Sequence, residues 1–221
     1  KSPRVPRLPL RQEGRVKMSV NIIECQGDLP DGVVFNNGIA AIDTETLGLK
    51  VKRDRLCLVQ IGDGQGNVWL IKFDGTNYDA PNLKALLQNP KILKIFHYGR
   101  FDIAVMKHYL GVMTEKVYCT KIASKLVRTY TDRHGLKALV SQIVGKGMDK
   151  GEQCSDWSAA ELTEGQKHYA ASDVIYLHEL KVYFDEKLKQ LGRIELADAS
   201  FNYLPVLSLI HISEPTRLTC I

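Results

Sequence analysis

Hydrophobic and polar positions along the chain predict strands first and then strands mixed with helices. Short apolar runs bounded by turn residues predict four strands, at 39–43, 55–61, 68–73 and 92–97. Apolar residues at helical spacing predict five helices, at 82–88, 101–110, 120–128, 136–144 and 163–191. This order predicts an α/β fold in which helices cover a mixed sheet.

The two ends do not fit this pattern. Residues 1–17 carry prolines at every third position from Pro3 to Pro9, and they lack the apolar segment of a secretion signal. We expect them to be a disordered or non-native arm. Residues 206–221 do not continue the preceding helical pattern, and we expect a non-native tail. The predicted domain therefore spans residues 18–205.

Charge is concentrated in the first segment. The chain has 221 residues and a formal net charge of +5, and the first 17 residues carry all of that excess. The predicted domain is therefore neutral overall, so that any binding of a polyanion must come from local patches or metal ions. No apolar stretch is long enough for a membrane helix, and we expect no membrane partner.

Cysteine usage indicates a reducing compartment. The five cysteines form no CxxC pair and no metal-finger spacing, and their number is odd. We therefore expect a cytoplasmic protein, with Cys57 and Cys119 as small core residues because both lie in apolar runs.

Two carboxylates follow the first predicted strand, in Asp43-Thr44-Glu45-Thr46. Side chains alternate along a strand, so Asp43 and Glu45 point to the same side. Two carboxylates placed together repel each other unless a cation lies between them or one is protonated. A metal site and a solvated turn are both consistent with this segment alone.

A third carboxylate lies on the apolar side of the long predicted helix. That side is formed by Ala170, Val174, Leu177, Leu180, Phe184, Leu188 and Leu191. Asp173 falls within the same arc, where a carboxylate is costly unless it is paired or metal-bound. Tyr169 is one turn earlier and reaches the same place. A buried aspartate paired with a nearby Arg or Lys is the alternative.

A fourth carboxylate, Asp102, follows the strand at 92–97. Taken alone, the position of Asp102 is explained by the favourable dipole at the start of the following helix. The position of His97 is explained by packing in the core. Together the four acids come from distant parts of the chain. Oxygen ligands suit Mg²⁺ or Mn²⁺ rather than structural zinc. Two such ions support cleavage of a phosphodiester.

These segments resemble a known family. The DTET segment at 43–46, the HYGRFD segment ending at Asp102 and the YAASD segment at 169–173 resemble the three motifs of the DEDDy 3′–5′ exonucleases. Residues 149–177 resemble the ribonuclease D branch, and the likeness covers about residues 30–200. It implies an RNase H-like mixed sheet of about five strands with helices on both faces. It also implies two divalent metal ions, Mg²⁺ or Mn²⁺, and release of nucleoside 5′-monophosphates from single-stranded RNA 3′ ends.

The resemblance also implies roles for the five catalytic residues. Asp43, Glu45 and Asp173 would hold the ion that carries the attacking water, and Asp43 would bridge to the second ion. Asp102 would support that second ion. Tyr169 would orient the water and help to deprotonate it.

Substrate contacts follow from the same motifs. The resemblance implies that Thr46 and Leu47 line the 3′-terminal nucleotide, and Tyr98 and Phe101 could stack on a base, with core packing as the alternative for Phe101. The predicted substrate-binding residues are Thr46, Leu47, His97, Tyr98, Arg100 and Phe101. The candidate phosphate contacts are Arg100, Arg128, Arg133 and Lys150, with ordinary surface charges as the alternative.

Two other functions remain open at this point. One is a DNA-directed 3′–5′ exonuclease, because the choice of sugar depends on contacts to the 2′-OH. The other is a non-catalytic nucleic-acid-binding module on the same fold. Bacterial ribonuclease D carries helical accessory domains after its catalytic domain, and we expect none beyond residue 205, hence a stand-alone exonuclease domain. The pattern makes no prediction of oligomeric state.

Overall fold

Six strands form a single mixed sheet in the computed structural model, which describes residues 20–148, 151–152 and 155–213. The strands are β1 (Asn21–Gln26), β2 (Ile39–Thr46), β3 (Leu56–Gly62), β4 (Asn67–Lys72), β5 (Leu93–Phe96) and β6 (Val117–Cys119). Their order across the sheet is β1-β4-β3-β2-β5-β6. β3 runs antiparallel to β2 and β4, whereas β1 is parallel to β4 and β5 is parallel to both β2 and β6.

Seven α-helices accompany the sheet within the described residues. They are α1 (Pro81–Gln88), α2 (Arg100–Leu110), α3 (Thr120–Val127), α4 (Leu136–Leu139), α5 (Glu164–Ile175), α6 (Leu177–Gln190) and α7 (Ile194–Ser213). α4 continues as a π-helical turn over Val140–Val144. None of these helices is both long and apolar enough to cross a membrane.

The turn between β3 and β4 shows why the hairpin forms. The Asp63 carboxylate accepts hydrogen bonds from the backbone N–H groups of Gln65 and Asn67, at 2.7 and 3.0 Å. Gly64 has a φ of +73°, and a Cβ at this position would lie 2.6 Å from the His178 ring. Glycine is therefore required both by the left-handed backbone and by the close approach of α6.

The core lies on both sides of the central strand β3, which is buried at every residue. α5 packs on β2, β3 and β4, and α2 packs against β2 and β3. A Cβ at Gly62 would lie 3.3 Å from Val174, so the absence of a side chain lets α5 lie close to the sheet. The predicted α/β fold with a mixed sheet is confirmed, with six strands in place of about five.

The single helix predicted at 163–191 is wrong. The structure has two helices, α5 and α6, separated at Tyr176, whose N–H bonds to the Val174 carbonyl rather than to the carbonyl one turn earlier. Leu191 was placed on the apolar side of that helix, but it follows α6 and is 47% exposed.

Three elements were not predicted: the strands β1 and β6 and the helix α7. β6 has three residues, which is too short for a periodic signal. α7 continues past Pro205 to Ser213, and Leu204 and Ser208 on it are buried. Residues 206–213 are therefore helical, although their sequence does not continue the earlier pattern. Residues 1–17 and 214–221 lie outside the described residues, and their assignment as arm and tail stays a prediction, as does the domain boundary at 205.

The buried thiols fit the sequence interpretation. Cys57 and Cys119 are buried core residues, and both are free thiols, as is Cys25. Cys154 and Cys220 lie outside the described residues.

Candidate active site

Three carboxylates converge at the end of β2. Asp43 and Glu45 lie on one face of the strand, as their alternation predicts, and Asp173 of α5 meets them there. One carboxylate oxygen from each lies within 4.8 Å of the other two. All three residues retain partial contact with solvent. Side chains that are about 130 residues apart in the chain are thus brought into one group.

The path of α5 over the sheet places Asp173 in this group. Near its start, Lys167 Nζ lies 2.6 Å from Glu24 Oε1 on the edge strand β1. Near its end, Val174 packs on Gly62 of β3. The helix therefore crosses β4 diagonally and carries Asp173 toward β2.

A capping box fixes the beginning of α5. Thr163 Oγ1 accepts a hydrogen bond from Gln166 N at 3.1 Å, and Gln166 Oε1 accepts one from Thr163 N at 2.9 Å. Gln166 Nε2 also donates to the Asp156 carbonyl at 3.1 Å. The helix start is thereby tied to the preceding loop, which restrains the helix that bears Tyr169 and Asp173.

Asp102 approaches the group from the other side of β2. It lies in the first turn of α2, is only 4% exposed, and accepts a hydrogen bond from Thr44 Oγ1 at 2.6 Å. Thr44 lies between Asp43 and Glu45 and points to the opposite face. Asp102 is therefore adjacent to the three-carboxylate group, without being one of its members, and its charge acts on all three.

Burial raises the pKa of every acid in this cluster, and repulsion from neighbouring carboxylates raises it further for Asp43, Glu45 and Asp173. The pKa of Glu45 rises to about 9, first through burial and then through the charges of Asp173 and Asp102. Burial raises the pKa of Asp102 and of Asp173 to about 7. The pKa of Asp43 is also raised well above its usual value, by burial and by the three other carboxylates.

The chemistry of this donor set fits a divalent cation. In the described residues, no lysine or arginine is among the groups that shift the pKa of Asp173, so the predicted alternative of a simple Arg or Lys partner is not what the structure shows. Carboxylates held together against their repulsion are stabilised by a cation between them. Three to four carboxylate groups with only oxygen donors suit Mg²⁺ or Mn²⁺.

Tyr169 lies beside the carboxylates, as its position one turn before Asp173 predicts. The Asp173 carboxylate lies near the Tyr169 hydroxyl, and each of the two groups shifts the pKa of the other. Its half-buried ring lies 6.0 Å from the buried Trp157 ring, centroid to centroid. Burial, followed by the charges of Asp173, Glu45 and Asp43, raises the pKa of Tyr169. The hydroxyl therefore carries its proton while the acids are unneutralised.

Two of the predicted substrate contacts are open to solvent near the site. Leu47 is 50% exposed directly after β2. Tyr98 is 49% exposed with an unusual φ of 68°, and Lys121 Nζ lies 3.9 Å from the centroid of its ring. Thr46 is less available, because its hydroxyl donates to the Gly48 carbonyl at 2.5 Å.

Two others are engaged by the fold. Thr120 Oγ1 donates its hydrogen to the Phe96 carbonyl at 3.1 Å. His97 Nδ1 lies 2.9 Å from Thr120 Oγ1 and is therefore the donor to that hydroxyl oxygen. Burial lowers the pKa of His97 to about 3, which keeps the ring neutral. Phe101 packs against the hydrophobic core. These contacts favour the core alternative for both, and their assignment to substrate stays a prediction.

The basic residues predicted to contact phosphate differ in how exposed they are. Arg128 is buried and donates to the Arg133 carbonyl at 3.2 Å and to Gln142 Oε1, so it fixes a loop and is not positioned as a surface phosphate contact. Arg133 is exposed, and Arg100 is half-buried in the first turn of α2. Lys150 lies outside the described residues.

Sequence reasoning missed two residues that adjoin the acids. The sequence pattern assigns no role to Thr44, whose hydroxyl contacts Asp102. Gln60 is paired with Asp43 across β2 and β3 and is fully buried. The available signal was a single amide within the otherwise apolar run LCLVQI at 56–61, where a buried polar side chain requires an explanation.

Comparison with known protein sequences identifies the family to which the chain belongs. A family model described as 3′–5′ exonuclease matches residues 34–189. Ribonuclease D of Gluconacetobacter diazotrophicus is 33% identical over 155 residues, which cover 70% of this chain and 39% of that protein. DNA polymerase I of Aquifex aeolicus is 36% identical over 156 residues, which cover 71% of this chain and 25% of that protein. The chain thus spans about two fifths of the ribonuclease D relatives that it matches.

Solved structures give the same result over more of the chain. Brucella melitensis NrnC with bound Mg²⁺ is 44% identical with a TM-score of 0.84, covering 91% of this chain and 99% of that one. NrnC bound to pGG is 46% identical with a TM-score of 0.85 and the same coverage. Escherichia coli RNase D is 26% identical with a TM-score of 0.71, covering 88% of this chain and 51% of that one. Since the family match includes all of β2, α2 and α5, it covers the segments from which the four acids come, and the chain is a ribonuclease D-like member of the 3′–5′ exonuclease family of nucleases.

Proposed function

We propose that the chain is a metal-dependent 3′–5′ exoribonuclease that releases nucleoside 5′-monophosphates from single-stranded RNA ends. The observation that carries this proposal is the group formed by Asp43, Glu45 and Asp173, with oxygens within 4.8 Å of one another and the Tyr169 hydroxyl near Asp173. The ribonuclease D relatives and the NrnC structure bound to pGG support RNA as the substrate.

The metal requirement follows from the donor set. Asp43, Glu45 and Asp173 would hold two divalent ions, Mg²⁺ or Mn²⁺, with Asp102 as the supporting carboxylate behind them. Such ions, when bound, activate a water and stabilise the leaving oxygen in phosphodiester cleavage. The NrnC structure with bound Mg²⁺ supports this assignment. The positive charges of such bound ions would also allow a domain without net charge to bind a polyanion.

Tyr169 serves as the orienting group. Its hydroxyl lies close enough to Asp173, Glu45 and Asp43 for their charges to raise its pKa, and its ring packs near the Trp157 ring. From this position it accepts or donates a hydrogen bond to the attacking water and fixes the direction of attack. Neutralisation of the carboxylates removes part of the charge that raises its pKa, so its proton becomes easier to lose when the site is loaded.

The substrate end lies next to two exposed side chains. Leu47 follows the acids of β2 directly and offers apolar surface to the terminal nucleotide. Tyr98 offers an exposed ring for a base, and Lys121, whose Nζ lies over that ring, offers a positive charge for a phosphate. These side chains would therefore contact only the nucleotides at the 3′ end of the substrate.

A DNA-directed exonuclease is the second candidate, supported by the match to DNA polymerase I. A non-catalytic binding module is disfavoured, because it has no need for four repelling carboxylates.

The deciding experiment uses RNA and DNA of one sequence, both labelled at the 3′-terminal nucleotide, with Mg²⁺, Mn²⁺ or EDTA. We expect mononucleotide release from RNA with either metal and none in EDTA. Release from DNA alone would favour the second candidate, and equal activity of Asp43→Asn would refute catalysis at this site.

A further inference from the structure

Gln60 places an unsatisfied amide inside the protein beside the acid group. It lies on β3 and is 0% exposed. Neither its Nε2 nor its Oε1 has a hydrogen-bond partner among the residues that the structure describes. Buried amides nearly always have partners, because an unpaired one forfeits its hydration without compensation. An unpaired amide at the centre of a sheet therefore requires an explanation.

The register of the sheet places this amide next to Asp43. Gln60 and Asp43 are directly opposed across the antiparallel pair β2 and β3, so their side chains lie on the same face with Cβ atoms about 5 Å apart. Gly62, two residues further along β3, lies on this face too and is covered by Val174 of α5. Gln60 is thus enclosed between Asp43 and the helix that bears Asp173.

Thr44 provides a parallel on the other face of β2. Its hydroxyl donates to Asp102 and so occupies one of the acceptor positions of that carboxylate. An ionised carboxylate only accepts hydrogen bonds and has about four lone-pair positions. A carboxylate that binds a cation with one oxygen leaves the other positions for donors behind it. The Gln60 amide is a donor that the structure places on the Asp43 side.

We propose that Gln60 is a positioning residue for Asp43, in which the amide N–H donates to the Asp43 carboxylate when that carboxylate holds a cation. This inference rests on the proposed function, because it assumes that Asp43 is a metal ligand. The hydrogen bond orients the carboxylate and stabilises its charged form. Groups that support metal ligands in this way change metal affinity roughly 10- to 100-fold when they are removed.

A purely structural role for Gln60 makes the opposite prediction. If the amide only fills space, an apolar side chain of the same length removes an unsatisfied polar group and leaves the metal site unchanged. Gln60→Met is such a substitution. Thr114→Val is the matched control, because Thr114 is 1% exposed and its Oγ1 also lacks a partner among the described residues, yet it lies in the loop before β6, outside the acid group.

The experiment measures Mn²⁺ binding by isothermal titration calorimetry, without nucleic acid, for the wild type, Gln60→Met, Gln60→Leu and Thr114→Val. Thermal unfolding in EDTA is measured for the same proteins. We expect the Gln60 variants to unfold at or above the wild-type temperature but to bind Mn²⁺ roughly 10- to 100-fold more weakly. We expect Thr114→Val to bind Mn²⁺ like the wild type.

The outcomes separate the two proposals. If the wild type binds Mn²⁺ and a folded Gln60 variant binds it within about twofold of the wild type, the role of Gln60 is refuted and the proposed function stands. If both Gln60 variants fail to fold in EDTA, the residue supports the core and the inference is also refuted. If the wild type itself binds no Mn²⁺, the proposed function fails first.

Discussion

Thr44 and Asp102 are joined by a 2.6 Å hydrogen bond that links the first acidic strand to the start of α2. Thr44 lies between Asp43 and Glu45 in the chain, and this bond fixes the position of the Asp102 carboxylate on the opposite face of β2. Both side chains are buried, so the bond is shielded from water. Its strength derives from the ionised form of Asp102, because charge-assisted hydrogen bonds are shorter and stronger than neutral ones.

We therefore expect Thr44→Val to reduce nuclease activity roughly 10- to 100-fold, with little loss of folding, since valine keeps the shape and suits a strand. Loss of the donor leaves the Asp102 carboxylate less stabilised when ionised. Steady-state release of mononucleotide measures the effect. Thr114→Val makes the same chemical change away from the site and should keep wild-type activity; equal activity of the two variants would contradict the role of Thr44.

The raised acid pKa values predict that the metal-free protein loses stability as pH rises from 7 to 9. The folded pKa values of Glu45 and Asp173, about 9 and about 7, exceed the usual values near 4. The folded state then binds more protons than the unfolded state, so its stability falls with rising pH. His97, whose pKa is lowered, acts in the opposite sense, but only near and below its unfolded value of about 6.5.

Thermal unfolding in EDTA at several pH values tests this trend. Asp43→Asn removes one carboxylate and should give a shallower decline, and saturating Mn²⁺ should reduce the decline in the wild type. Comparison of the two proteins cancels the contribution of other titrating groups, such as Lys94. A wild-type stability that stays level or increases over this range, relative to Asp43→Asn, would count against the repulsion described here.

Tyr169→Phe separates orientation of the water from metal binding. The ring remains packed near Trp157, while the hydroxyl near Asp173 is lost. We expect kcat to fall about 10²- to 10⁴-fold, the range for a positioned acid–base group. The Mn²⁺ affinity, measured by calorimetry, should stay within about twofold of the wild type. A collapse of Mn²⁺ binding would show that Tyr169 supports the ligands instead.

Gly62 tests the dependence of the site on the position of α5. A valine side chain there would press on Val174, which a single Cβ already approaches to 3.3 Å. We expect Gly62→Val to destabilise the protein by about 1–3 kcal/mol through overpacking and to weaken Mn²⁺ binding, because Asp173 moves with the helix. Gly135→Val is the control, since a Cβ at Gly135 meets nothing within 4 Å. Wild-type Mn²⁺ binding in a folded Gly62→Val protein would contradict this dependence.

The sequence predicts the parts of the site that follow from local periodicity. Strand alternation places Asp43 and Glu45 together, and helical spacing places Tyr169 one turn from Asp173. These relations involve neighbours on one element, and the structure reproduces them. The convergence of β2 with α5 required the family resemblance, because no local pattern relates residues so far apart in the chain.

Other features depend on register and on tertiary contacts. The pairing of Gln60 with Asp43 is set by the alignment of β2 on β3, and a shift of one residue would reverse the face. The hydrogen bond from Thr44 to Asp102 depends on the placement of α2 beneath the sheet. The short strand β6 and the break at Tyr176 are likewise decided by packing, because neither has a distinctive local sequence.

The break at Tyr176 divides into two helices a segment whose residue pattern predicts a single helix. An unbroken helix from Glu164 to Gln190 would be about 40 Å long and would keep a single axis. α5 instead packs on β2, β3 and β4, whereas α6 packs on α3, on α7 and on the strand β5. The interruption at Tyr176 thus lets the segment that carries Tyr169 and Asp173 pack on three strands of the sheet, while the next segment takes different neighbours.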